Sequence, residues 1–174
     1  MTGKPDEHRA AIPDVVWAPL AAGALLLVVG GIGLLAHQPL LFPSLGPTAF
    51  LQTETPDQPS ARAYNSVVGH AMGLLAGFLA VWLFGASSAP SVLATHTLTS
   101  PRVWASALAI ILTVLVGLLL RASHPPAAAT TLLASLGGFP PTVRSAVTVM
   151  AGVLIVTALG ELLRRWRLRQ QGAG

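Results

Sequence analysis

Two stretches of this chain put hydroxyls, an imidazole and prolines between long apolar runs: Ser44-Leu45-Gly46-Pro47-Thr48-Ala49 and Ser123-His124-Pro125-Pro126-Ala127-Ala128. Proline fixes φ and lacks an N–H, so it suits the first turn of a helix, where that donor has no partner. Each stretch therefore predicts a broken backbone followed by a half-helix. The first turn of such a helix carries about half a unit of positive charge and free N–H donors, which suit an anion. Candidate donors are the hydroxyls of Ser44, Thr48, Ser123 and Thr130 and the N–H groups of Gly46 and Ala127, with Pro47, Pro125 and Pro126 shaping the turns. His124 and His70 add two imidazoles able to bind an anion or to titrate. Arg121 and Arg144 flank the second stretch and would raise the local anion concentration.

The elements that must position these residues are membrane spans. The chain has 174 residues, of which 53% are hydrophobic and 9% charged, with a mean hydropathy of +0.69. A soluble domain carries roughly 25% charged residues. Four windows, Val15–Ala36, Asn65–Phe84, Val103–Leu120 and Val143–Leu163, are apolar enough to cross a hydrocarbon core, which takes roughly 20 helical residues. The first is a retained span, because its leader carries Asp6, Glu7 and Asp14 and no A-x-A site follows it. The absence of cysteine excludes disulfides, thiolate metal sites and cysteine nucleophiles. No metal or cofactor is expected. A pI near 11.2 invites nucleic acid, yet four of the ten basic residues (Arg164, Arg165, Arg167, Arg169) follow the last apolar run. That placement marks a cytoplasmic helix end and favours lipid headgroups over nucleic acid.

The expected organisation is an all-α, polytopic helical bundle with four transmembrane helices and both termini cytoplasmic, as in a bacterial inner membrane. Lys4, Arg9 and Arg102 would lie inside with the tail, and Arg62, Arg121 and Arg144 outside. Sliding the chain by 79 residues matches Ser44, Pro47 and Gly73 with Ser123, Pro126 and Gly152. This predicts two parallel repeats, 15–84 and 103–163, between a segment 1–14 and a basic tail 164–174, each repeat holding a re-entrant half-helix entered from the same side. Gly69, Gly73 and Gly77 form a close-packing stripe and a candidate protomer interface. Glu161 should pair with Arg164 and Arg165. So thin a bundle suggests a homo-oligomer, dimer or trimer.

On the residues Phe42-Pro43-Ser44-Leu45-Gly46-Pro47-Thr48-Ala49 and Ser123-His124-Pro125-Pro126-Ala127-Ala128-Ala129-Thr130, the chain resembles the HPP family of small integral membrane proteins. The likeness covers most of the four-span core. Some members from photosynthetic lineages are associated with nitrite transport, so the resemblance implies a transporter or channel with nitrite a candidate. Relatives with a cytoplasmic CBS-domain pair carry it after the core; with the sequence closing at Gly174, that module is not expected.

Three functions compete. A permease for a small monovalent anion would run its path between the half-helices. A hydrolase would need more than Ser123 beside His124, because adjacent residues do not easily form a nucleophile–base pair and no G-x-S-x-G or H-E-x-x-H occurs. A scaffold or accessory subunit would not require broken helices, since plain spans suffice for packing.

Overall fold

The structure, a computed structural model, describes residues 12–172. The expectations resting on Lys4, Arg9 and the leader lie outside the described residues. Four long apolar helices are present: α1 (Asp14–Ala36), α3 (Ala63–Leu83), α5 (Ser100–Leu119) and α7 (Val143–Gly172). Between them lie two helices of 10 residues each, α2 (Leu45–Glu54) and α6 (Pro126–Ser135), and a short turn of helix, α4 (Val92–Thr95). No strand occurs among the described residues. The protein is an all-α integral membrane domain.

Hydrogen bonds between the helices fix their directions. Along α7, Gly152 lies against the Leu40 carbonyl, the Thr157 carbonyl accepts from Gln52, Arg164 donates to the Pro56 carbonyl, and Arg167 pairs with Asp14 at the start of α1. So α2 runs with α7, and α1 runs against it. Ser44 bonds to Thr130 while Thr48 bonds to His124, which sets α6 antiparallel to α2. Gly69, Gly73 and Gly77 of α3 meet His124, Ala127 and Ala134 in that order, so α3 runs with α6 and therefore with α1. Thr113 meets Thr131 and Ser106 meets Ser135, which turns α5 the other way. In sum, α1, α3 and α6 point one way, and α2, α5 and α7 the other.

These directions correct the expected parallel repeats. The segment before α2 enters from the end opposite the termini, and α2 finishes beside Arg164 at the terminal end. The segment before α6 enters from the terminal end, where Tyr64 donates to the Leu120 carbonyl, and α6 finishes beside Arg102 at the other. The two half-helices thus face each other from opposite sides. Arg62 and Arg121 move to the terminal end, with Arg164, Arg165, Arg167 and Arg169, and Arg102 moves to the far end with Arg144.

The local chemistry of the two broken segments matches. α1 ends on left-handed His37 (φ 50°) with the Gln38 N–H on the Gly33 carbonyl, and α5 ends on left-handed Arg121 (φ 52°) with the Ala122 N–H on the Gly117 carbonyl. A left-handed cap of this kind satisfies orphan carbonyls and reverses the chain. Each broken helix then ends on an arginine. Arg102, only 4% exposed, donates to the carbonyls of Ser135, Ala89 and Pro90, and Arg164 donates to that of Pro56. A cation there complements the negative end of a helix.

The glycine stripe of α3 is buried against α6, so it serves packing within the chain and not a protomer interface. A Cβ on Gly77 would stand 2.6 Å from that of Ala134. Glu161 holds both expected partners, at 2.7 Å from Arg164 and 2.6 Å from Arg165.

The run directions predict a labelling pattern in this cysteine-free chain. Ser88→Cys, in the link between α3 and α5, should react with an impermeant maleimide from the face opposite to Gln171→Cys; reaction of both from one face would restore the parallel arrangement. Gly77→Leu should lower stability by about 1–3 kcal/mol or more through overpacking, read as a drop in the detergent melting temperature.

Candidate functional site

The N-terminal halves of α2 and α6 lie side by side in the interior and bring together five of the expected residues. Ser44, Thr48, His70 and Thr130 are 0% exposed and His124 is 5% exposed. Each element supplies what its local geometry allows. Thr48 sits one turn into α2, 3.1 Å from the Ser44 carbonyl. His70 projects from α3 beside the glycine stripe, where the missing side chains let α6 approach. His124 precedes the proline pair that starts α6.

One contact orders the ring protons in this cluster. His124 Nδ1 lies 2.7 Å from the carbonyl oxygen of Ser60, which can only accept, so Nδ1 carries the proton. In the uncharged ring Nε2 must then accept, and the hydroxyl within reach is that of Thr48 at 3.2 Å. Thr48 has one proton, shared between the Ser44 carbonyl at 3.1 Å and His124 Nε2, so it cannot also supply His70 Nε2 at 2.8 Å; that nitrogen donates to Thr48. His70 Nδ1 therefore accepts from the Thr130 hydroxyl at 2.6 Å, and Thr130 accepts from Ser44 at 2.7 Å. The result is a directed chain from Ser44 through Thr130, His70, Thr48 and His124 to the Ser60 carbonyl. The two rings stand edge to face with centroids 4.9 Å apart.

The other expected residues fall outside this chain. Gly46 is half-buried and Pro47 exposed at the start of α2, with nothing within 4 Å of where a Gly46 Cβ would stand. Pro126 and Ala127 are buried and Pro125 is exposed. Ala127 is not a free donor: its N–H is taken by the His124 carbonyl and that of Ala128 by the Pro125 carbonyl. Since the two prolines have no N–H, α6 contributes its field to the site but no first-turn donor. Ser123 is exposed and lines, with His124, Thr113, Gly117 and Ala128, a cavity of about 230 Å³. Arg121 and Arg144 are exposed at opposite ends of the molecule, and Arg121 also forms the left-handed cap.

With this geometry in view, the family model of the HPP transmembrane region matches residues 7–171. The chain belongs to the HPP family. No curated protein and no solved structure matches it. An HPP membrane domain is consistent with a transport-related role, and the tripeptide His124-Pro125-Pro126 has a structural reading here. The histidine receives the hydrogen bond of α2, and the prolines start the helix that follows.

Sequence reasoning missed several partners of this HPP cluster. Ser60 acts through its carbonyl, which has no side-chain signature. Asn65 Nδ2 donates to the Ser123 carbonyl at 3.0 Å and steadies the segment before α6. Ser66 and Thr157 bond at 2.8 Å, and Thr113 and Thr131 at 2.8 Å, tying α3 to α7 and α5 to α6. A polar residue at the inward position of an apolar helix was the available signal for these.

Thr48→Val should remove the link between the imidazoles and leave two buried ring nitrogens unpaired, at about 1–3 kcal/mol each. Thr48→Ser keeps the hydroxyl and should cost under about 1 kcal/mol, the scale of a lost buried methyl group. Detergent melting or unfolding curves would read both; equal stability of Thr48→Val and wild type would show that the chain is not made.

Proposed function

We propose that this domain carries a small inorganic anion across the membrane, along a path between the first turns of α2 and α6, with nitrite as the leading candidate. The observation that carries this reading is the meeting of the two half-helix starts from opposite sides at a cluster of two imidazoles. Both positive dipole ends then converge on one place. The described carboxylates lie away from it: Asp14 and Glu161 are paired with arginines, and Glu54 and Asp57 are exposed past or at the end of α2.

The two halves, α1–α3 and α5–α7, are inverted copies. Support comes from contacts that recur about 83 residues apart: Gly69 against the Ala122 carbonyl and His124 as Gly152 against the Leu40 carbonyl and Phe42, and Gly77 against Ser135 as Gly160 against Gln52. The offset of 79 had paired Gly73 with Gly152. Neither half-helix is re-entrant; each completes a crossing begun by an extended segment. Alternating access by rocking of such halves is the motion this symmetry favours. Ser44, Thr48, His70 and Thr130 are fully buried, and His124 borders the cavity of about 230 Å³.

The terminal end is cytoplasmic, because six described arginines (Arg62, Arg121, Arg164, Arg165, Arg167, Arg169) gather there against Arg102 and Arg144 at the other. In a bacterium this is the inner membrane. Arg121 and Arg144 would attract anions at opposite mouths. The domain works as a transporter and not as an enzyme, since both His124 nitrogens are occupied and Ser123 has no base. It is a homo-oligomer, with the exposed groove of α1 along Gly23, Gly30, Leu27 and Leu34 as the face on which a second copy packs.

Proteoliposome uptake of nitrite, nitrate and chloride tests the proposal. Wild type should take up at least one of them above protein-free vesicles, and His124→Ala should lower that uptake about tenfold or more, equivalent to roughly 1.4 kcal/mol. No uptake of any of the three would refute it.

A further inference from the structure

The polarity of the buried chain has a consequence beyond anion binding. Ser44 ends the segment that enters from the far end, and His124 ends the segment that enters from the terminal end, where it also walls the cavity of about 230 Å³. Between them run Thr130, His70 and Thr48, with separations from 2.6 to 3.2 Å. Each of the five groups can accept a proton and release another, and each hydrogen bond points the same way. Continuous donors and acceptors of this kind pass a proton from one end to the other by successive short transfers.

Building on the transport reading above, we propose that Ser44, Thr130, His70, Thr48 and His124 form a proton relay that couples each anion to one proton. A proton from water reaching Ser44 Oγ displaces the hydroxyl proton to Thr130. Thr130 passes its own to His70 Nδ1, His70 releases its Nε2 proton to Thr48, and Thr48 passes its proton to His124 Nε2. One proton enters at Ser44, one is gained at His124, and no other bond changes. The resulting imidazolium stands at the cavity wall and supplies the counter-charge for an anion there. Rotation of the His124 ring off the Thr48 hydroxyl lets it release one proton to cavity water, and rotation of the hydroxyls with a turn of the His70 ring that carries its Nδ1 proton to the Thr48 side resets the chain. The Ser44 carbonyl, at 3.1 Å, gives the Thr48 hydroxyl a second acceptor to turn to.

The charged surroundings suit this role. The other ionisable group facing His70 is His124, with ring centroids 4.9 Å apart. From α5, Arg102 is engaged by carbonyls and Arg121 is exposed; from α7, Glu161 holds Arg164 and Arg165 and Arg144 is exposed. From α2, Glu54 is exposed at the far end of the helix, and α6 contributes no ionisable side chain. Among the described residues, no carboxylate stands by to trap the travelling proton.

The test measures nitrite uptake and lumenal pH in one proteoliposome preparation, with protein-free vesicles to subtract the passage of nitrous acid. Wild type should bring in about one proton per nitrite. Thr130→Val and Ser44→Ala should each lower the proton-to-nitrite ratio about tenfold or more, whatever happens to the flux, and Thr130→Ser should restore it. Nitrite uptake with no lumenal acidification, or a wild-type ratio in both Thr130→Val and Ser44→Ala, would overturn the relay. Proton flux under a valinomycin potential that Thr130→Val abolishes, in a protein that moves no nitrite, nitrate or chloride, would support the relay and overturn the anion reading. Absence of both fluxes would overturn both.

Discussion

A broken helix inside a membrane must find partners for its backbone and polar side chains, because hydrocarbon offers none and each unpaired group costs several kcal/mol. In this HPP domain that constraint falls on the stretches before α2 and α6. The answer is mutual: the polar groups of one broken segment satisfy those of the other. Ser44 and Thr48 from the first, His124 and Thr130 from the second, and His70 from the intact helix between them close a chain that ends on the Ser60 carbonyl. Either segment alone would leave an imidazole or a hydroxyl stranded, so the two halves of the fold depend on each other at this point.

The rest of the architecture supplies what the chain needs. Gly69, Gly73 and Gly77 let α6 lie against α3 closely enough for His70 to reach Thr130. Left-handed His37 and Arg121 turn the backbone inward from the two ends, and arginines close the outward ends of both half-helices. The halves match in frame but not in chemistry. Phe42 and Val153 occupy the places that answer to His124 and His70, and both lie in the apolar core. Under the proposed inverted repeat, one copy of the motif packs while the other carries the polar chain, so the site would be single on a doubled scaffold.

The sequence was most legible where structure is local. The four apolar runs and the proline-led half-helices stand within a few residues of the observed elements, because hydropathy and missing N–H groups act locally, except that α7 continues nine residues past Leu163 through the expected basic tail. His70, His124, Ser44, Thr48 and Thr130 were all visible as polar groups in apolar surroundings. Direction was not legible. Counting only helical spans undercounts crossings here: an extended residue advances about 3.3 Å against about 1.5 Å in a helix, so the eight residues 37–44 and α2 together complete a crossing. Losing that crossing reversed α3 and α5 and exchanged the ends given to Arg62, Arg102 and Arg121. The matches at an offset of 79 followed serine and proline identities, whereas the spatial equivalence follows glycine contacts about 83 apart. A donor such as the Ala127 N–H looked free because its acceptor, the His124 carbonyl, is backbone.

One carbonyl, that of Ser60, orders the protons of two imidazoles through Thr48. Solid-state ¹⁵N spectra of histidine-labelled protein in lipid, assigned with His70→Gln and His124→Gln, report which ring nitrogen bears the proton. Opposite neutral tautomers are expected at neutral pH, with His124 protonated on Nδ1 and His70 on Nε2. The same tautomer in both rings, or a proton on Nε2 of a neutral His124, would contradict this ordering.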